Sequence, residues 1–375
     1  MTKRLACLVL LAIACGIHPS VSAQTPPDGM VAQSVAGHTL FLRPGFKIAV
    51  FADADGVRNL VLGPGGAIYA ALQRPGRVIR IAHVDGDSLA GATSDVATGL
   101  NGPFGIAFRG DTMYVGEMTK VTRFAPGSAT GQTIVSGLPS GGHSTRTVVF
   151  GPDGYMYVAV GSSCNVCDES DRRRAAVTRF KADGSGEHTF ATGLRNSVGL
   201  AFNPTTGELW ATNNDRDDIG GSNKAMTDDL PPEHLNILKD GKFYGWPKCY
   251  LPGKQNPEYP NADCSTVEPP AITFQAHSAP LGITFYTASA FPDYKGDAFL
   301  TYHGSWDRSV PTGAKVVHVK VQNGKPVSIE DFVTGWQLPD GSRWGRPVAV
   351  LSLPDGSLLI SDDMGGRIWR VSYGK

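Results

Sequence analysis

A chain of 375 residues with 34 Lys and Arg against 34 Asp and Glu carries no formal charge at neutral pH. That balance excludes a protein relying on a broad basic face for nucleic acid or anionic lipid, and the length is ample for one large core. Glycine (46) and proline (26) are abundant, as a fold with many tight turns demands.

Residues 1–23 read as a separate unit. Lys3 and Arg4 precede an apolar run from Leu5 to Ile17, and Val21-Ser22-Ala23 closes it. This is the layout of a cleaved secretory signal peptide, with an apolar run too short to span a bilayer comfortably. The expected location is therefore periplasmic or secreted. Cys15 follows Ala12-Ile13-Ala14, a poor match to a lipid-attachment site. Residues 24–36 form an N-terminal segment, and 37–375 read as one domain.

Within that domain one pattern recurs. An apolar strand, a Gly/Pro/Asp turn and a second apolar or aromatic strand make up NLVLGPGGAIYAAL from Asn59, GIAFRGDTMYVGEM from Gly105 and VVFGPDGYMYVAVG from Val148. They recur in GLAFNPTTGELWATN from Gly199, GITFYTASAFPDYKGDAFLTYHG from Gly282 and VLSLPDGSLLISDD from Val350. In the turns, proline presets φ, Asp bonds its own backbone and Gly supplies positive φ. Several copies run on into a third strand, such as GRVIRIA (76–82) and GRIWRVS (366–372).

With Tyr69, Tyr114, Tyr157, Trp210, Phe299 and Leu359 as equivalent positions, the steps are 45, 43, 53, 89 and 60 residues. Steps near 45 suit a four-stranded propeller blade. The 89-residue step reads as an insertion at about 217–280, where alternation gives way to Pro, Asn, Asp and Lys. A closed ring lets each copy bury both faces and protects its edges. The predicted fold is all-β, a six-bladed β-propeller of four-stranded antiparallel blades, with a sandwich of short strands as the alternative. No long amphipathic helix pattern supports an α/β fold.

Four cysteines follow the leader. In an exported chain an even number reads as disulfides, and local pairing, Cys164–Cys167 and Cys249–Cys264, is the preferred of three connectivities. A zinc site or a redox-active Cys-x-x-Cys are the other readings; a flanking helix pattern and a nearby second ligand pair are both missing. Cys167 is followed by Asp168, so this is not a covalent haem site.

Polar residues at blade starts converge on one end of a propeller channel. His143, in GGHSTRTVVF, has the residue type for a general base near neutral pH, with Arg146 on the same stretch. Arg195 and Asn196 open the fourth copy, where a rigid guanidinium suits carboxylate or quinone oxygens. Asn213–Asp218 form an oxygen-rich loop of the kind that holds Ca²⁺. His303, Trp306 and Arg308 in TYHGSWDR, and Trp344 and Arg346 in SRWGRPVAV, suit stacking on a planar ring or sugar. Each group also has a plain structural use, as a turn cap, a strand-end brace or a plug between blades.

His143 ahead of a Gly-Pro-Asp-Gly hairpin, GLRN at the next copy, the acidic loop and LNILKDGKFYGWP (235–247) occur in that order. Together the chain resembles the soluble pyrroloquinoline quinone (PQQ)-dependent sugar dehydrogenases. HSTR, NNDRDD, DDLPPEHLNIL and HGSW are most similar to the sorbosone and pyranose dehydrogenase branch. The resemblance covers most of 37–375 and implies a PQQ- and Ca²⁺-dependent dehydrogenase of sugars or related aldehydes. It makes His143 the base that deprotonates the anomeric hydroxyl, and Arg195, Asn196, Asn214 and Arg346 cofactor-binding residues. Arg146, His303, Trp306 and Arg308 become cofactor neighbours, and the backbone carbonyls of Asp215 and Arg216 become Ca²⁺ ligands. Better-known members carry Gly-Pro at 215–216 and a loop lysine after the fifth copy, where Arg308 or Lys315 would substitute. With no haem motif, a separate quinone or cytochrome is expected to take the electrons. The other functional readings are a calcium-dependent, lactonase-like propeller hydrolase and a non-catalytic binding propeller.

Overall fold

The computed structural model describes residues 25–82 and 90–374. The expected signal peptide and Cys15 lie outside them. Among the described residues no helix is long and apolar enough to cross a membrane.

Six blades follow one another along the chain, antiparallel throughout except for Lys242–Phe243, which runs parallel to His188–Thr192 on the edge of blade 3. Blade 1 spans 57–97, blade 2 106–135, blade 3 146–192, blade 4 200–274, blade 5 280–334 and blade 6 347–373. Blade 6 has only three strands of its own; its fourth is Phe46–Asp53 from the N-terminal side, antiparallel to Arg367–Tyr373. That pairing closes the ring. The expected N-terminal segment is tied to the ring, since Val31–Val35 and His38–Leu42 form a hairpin on the outer edge of blade 5. The 217–280 stretch, expected as insertion, also carries the third and outer strands of blade 4, Glu233–Leu238 and Ile272–Phe274.

All six matched positions fall on the second strand of their blades. These strands are flanked by neighbouring blades on both faces, so they read as apolar runs: Met156–Val160 and Leu358–Asp362 are buried throughout. Outer strands such as Thr93–Ala97 are largely exposed. An apolar cluster fills each of the six blade interfaces. Trp210, fully buried, packs edge-on against Phe285 of the next blade at 5.1 Å.

The glycines that open three copies have a specific cause. A Cβ on Gly105 would meet Val148 N at 2.4 Å, one on Gly199 would meet Leu281 O at 2.0 Å, and one on Gly282 would meet Val348 O at 2.7 Å. Each is backbone of a neighbouring inner strand, so only hydrogen fits. A hydroxyl then staples the blades beside it. Thr212 Oγ1 accepts from Gly199 N and donates to Leu281 O (2.8 Å). Thr301 does the same between Gly282 N and Val348 O (2.7 Å), and Ser361 between Ala349 N and Arg58 O (2.6 Å). Buried polar backbone is thereby satisfied across blade boundaries. Phe104, Val198, Leu281 and Val348 pack together where four inner strands begin, forming an apolar neck.

Candidate active site

Loops that precede the inner strands and loops that join second to third strands share one end of the ring. The sequence-predicted residues all lie on such loops or at their edges. They form two walls of a mouth above the neck.

The first wall comes from blades 3 and 4. His143 Nδ1 lies 3.1 Å from both the carbonyl and Oγ of Ser162, and Ser162 Oγ itself donates to Cys164 O. Both neighbours therefore accept, which places the proton on Nδ1 and leaves a lone pair on Nε2. Burial first, then the Arg195 charge, lower the imidazole to about 4. Gly161 admits the close approach here: a Cβ would stand 2.6 Å from His143 Cβ and 2.7 Å from Asn196 Oδ1. That Asn196 oxygen is buried without a hydrogen-bond partner among the described residues.

Arg146 does not face the channel as expected. It is fully buried and gives its Nη atoms to the carbonyls of His143, Thr145 and Pro139. Burial and the neighbouring Arg174 pull it down to about 10. Arg174, from a DRRR run that sequence reading passed over, holds the carbonyls of Ser140, Gly141 and Gly161. Two buried cations thus shape the loop that carries His143.

Arg195 is likewise committed, to Asn165, the Asp217 carboxylate (2.8 Å) and the Asp215 carbonyl (2.6 Å). The last contact occupies the oxygen that the resemblance gives to Ca²⁺. Asn214 Nδ2 donates to Pro280 O (2.6 Å), and Arg216 pairs with Glu258 (2.5 Å). Below them two acids are buried together: Asp215 N donates to Glu233 Oε2 (2.7 Å). Burial pushes Asp215 up to about 6 and Glu233 up to about 8. His277, which sequence reading missed, brings a ligand atom within 4.8 Å of those of Asp217 and Asp307. Burial opposes its charge, but Asp217 and the Thr227 carbonyl hold it above its ordinary value.

The second wall comes from blades 5, 6 and 1. His303 Nε2 donates to Asp363 Oδ1 (3.0 Å), whose other oxygen pairs with Arg58. Arg346 Nε donates to His303 O (2.9 Å). Burial lowers His303 to about 4 despite the carboxylate. For Asp363 burial works upward, but the His303 bond and Arg58 outweigh it and hold it near 2. Arg58 lies over the Phe104 ring of the neck at 5.3 Å, and its Nε is buried without a partner among the described residues. Arg58 and Asp363 carried no sequence signal; only ring closure brings blades 1 and 6 together. Trp306 does not plug an interface, being 74% exposed on the rim. Arg308 turns aside to the Asp228 carbonyl and Val310 O. Both expected disulfides are present.

The fold and the mouth together define a six-bladed propeller with polar loops gathered at one end of its channel. The sequence model of the TrAA12-like family matches residues 42–262 and 251–374, and this chain belongs to that family. A PQQ-dependent sugar dehydrogenase of Hypocrea jecorina is 26% identical over 75% of this chain and 76% of that protein. Two solved folds are similar. The calcium structure of a Trichoderma reesei family AA12 enzyme has a TM-score of 0.76 at 23% identity, covering 95% of this chain and all of that one. The holo PQQ domain of Coprinopsis cinerea pyranose dehydrogenase has 0.77 at 20% identity, covering 89% and 97%.

Proposed function

We propose that this protein is a PQQ- and calcium-dependent dehydrogenase that oxidises sugars or related aldehydes, with His143 as general base. The observation that carries the reading is the His143 geometry: an imidazole held neutral by burial, with Nδ1–H fixed on Ser162, beside an Asn196 amide oxygen that has no partner among the described residues. Family membership and the names of the relatives above support it.

The residues present fit a planar, anionic quinone. Arg58 Nε is a buried donor and Asn196 Oδ1 a buried acceptor, each without a protein partner among the described residues, and burying such groups unpaired is costly. Arg346 and Arg58 offer cationic ground for carboxylates, and Asn196 with Asn214 would border the ring. PQQ, when bound, supplies a quinone that accepts a hydride, and calcium supplies Lewis-acid polarisation of that quinone.

The chain's own part is positional and protonic. His143 Nε2 takes the proton of the sugar's anomeric hydroxyl, while Ser162 keeps the ring oriented and the tautomer fixed. Arg146 and Arg174 hold the loop that delivers it. For calcium the fit is incomplete, because the Asp215 carbonyl would have to exchange Arg195 for the ion. The electrons leave to a separate quinone or cytochrome. Export to the periplasm or the medium follows if residues 1–23 act as a signal peptide.

The test is direct: apoprotein is mixed with PQQ and Ca²⁺, given a panel of aldoses and aldehydes, and followed by reduction of an acceptor dye. Cofactor-dependent dye reduction is the expected result. Its absence across the panel rejects the reading.

A further inference from the structure

One residue outside the proposed chemistry touches both functional halves of the first wall. Asn165 Oδ1 accepts from Arg195 Nη2 (3.0 Å) and Asp217 N (2.8 Å), and its Nδ2 donates to Asp217 O (2.9 Å). Its main-chain carbonyl accepts from Arg195 Nε (3.1 Å) and from Trp246 Nε1 (2.9 Å). Asn165 sits inside the small ring closed by Cys164 and Cys167, three positions apart. On the ring's other side, the Cys164 carbonyl accepts Ser162 Oγ (2.7 Å), and Ser162 is the residue that holds His143.

This loop has no strand ladder to fix it. Asn165 is exposed and both cysteines are half-buried, so packing does little to confine it. The hydrogen bonds above and the disulfide do that instead. In the chain-entropy account a crosslink stabilises the global fold more as its loop lengthens. The Cys164–Cys167 ring is therefore the weaker global staple. Cys249 and Cys264, fifteen positions apart and fully buried, form the stronger one.

We propose that the Cys164–Cys167 ring is a positioning device for the active site, presenting Asn165 to Arg195 and Asp217 and the Cys164 carbonyl to the serine that orients His143. Asn165 is thus a positioning residue, acting through Arg195 and Asp217. The proposal deepens the dehydrogenase reading and rests on it for the kinetic arm of its test only.

Three full-length variants test it: Asn165→Ala, Cys164→Ser/Cys167→Ser and Cys249→Ser/Cys264→Ser. Hydrogen exchange of the apoprotein is the readout that needs no activity. Exchange is expected to quicken in the loop residues 139–145 and 214–218 in the first two variants, with the blade strands unchanged. Dithiothreitol should do the same to wild type, its two thiols passing two electrons and two protons to the Cys164–Cys167 bond and closing into its own disulfide. In the PQQ-loaded enzyme, kcat is expected to fall about tenfold to hundredfold in the first two variants. KM should change less, and the acid limb of the pH profile should move. The Cys249→Ser/Cys264→Ser variant should lose melting temperature and keep its kcat. Local exchange and kcat within about twofold of wild type in both Asn165→Ala and Cys164→Ser/Cys167→Ser would overturn the proposal. So would loss of protection throughout the blades in Asn165→Ala, which would make the residue a folding element. If wild type oxidises nothing with PQQ, the dehydrogenase reading fails, and the exchange arm still decides the role of the ring.

Discussion

His143 and His303 face the same mouth from opposite walls, and burial lowers both to about 4. Their partners separate them. His143 rests on neutral oxygens of Ser162, so its Nε2 is spare, and the one carboxylate that raises its proton affinity, Asp217, acts through space and is outweighed by burial and Arg195. His303 donates to Asp363, which also pairs with Arg58; it belongs to a network that presents arginines. One lowered value thus accompanies two sets of partners, which under the proposed function correspond to proton transfer on one wall and anion binding on the other. The hydrogen-bond partner, more than the titration, tells them apart.

The sharpest way to break that contrast is to remove each imidazole. His143→Ala is expected to lower kcat by about 10²–10⁴-fold, the usual worth of a general base, with PQQ affinity little changed. His303→Ala should do the reverse, weakening PQQ binding more than it lowers kcat. Equal losses in both variants, by stopped-flow rates and cofactor titration, would erase the distinction.

Next in size, Arg346→Ala removes a charge-assisted donor from the second wall. PQQ affinity in a calorimetric titration should drop about tenfold, while the kcat of fully loaded enzyme moves less.

The pH profile gives a smaller, graded effect. A base lowered to about 4 is deprotonated above that pH. Turnover should then be flat from weakly acidic pH upward and fall only as pH drops through about 4, instead of through the ordinary histidine value near 6.5. An acid limb near 6.5 would mean that His143 gains a further negative neighbour, beyond Asp217, in the working enzyme.

The smallest effect concerns stability. Glu233 is pushed by burial up to about 8, so between its ordinary value and 8 the folded state holds a proton that the unfolded state has lost. Stability therefore declines as pH rises through that window. Glu233→Gln keeps the acceptor for Asp215 N and has no charge to desolvate. Its melting temperature should exceed wild type by a few degrees at pH 8 and match it near pH 4; equal slopes would place the charge elsewhere.

Much of the ring was legible in the residues. The Gly-apolar-x-Phe openings, the Pro-Asp-Gly turns and the aromatic second strands marked all six blades, because a strand packed on both faces must be apolar along its length. His143 and Arg195–Asn196 stood out because they precede such strands at polar positions. Arg146 misled for a physical reason. Alternation shows that a side chain can leave the barrier of a strand, but it does not distinguish a channel from a pocket of carbonyls. The third strand of blade 4 was hidden in 217–280 because Glu233, His234 and Asn236 are buried polar residues, which break the apolar signal of a strand.

What the sequence determined by itself is local: strand, turn, repeat length and the residue types at each blade start, all set by short-range sterics and burial pattern. The tertiary structure decided everything that depends on closure. Only the ring sets Phe46–Asp53 beside Arg367–Tyr373, joins Arg58 to Asp363 across more than 300 positions, and seats Asn165 on Arg195. Those contacts depend on through-space distance between blades, and no periodicity along the chain encodes it.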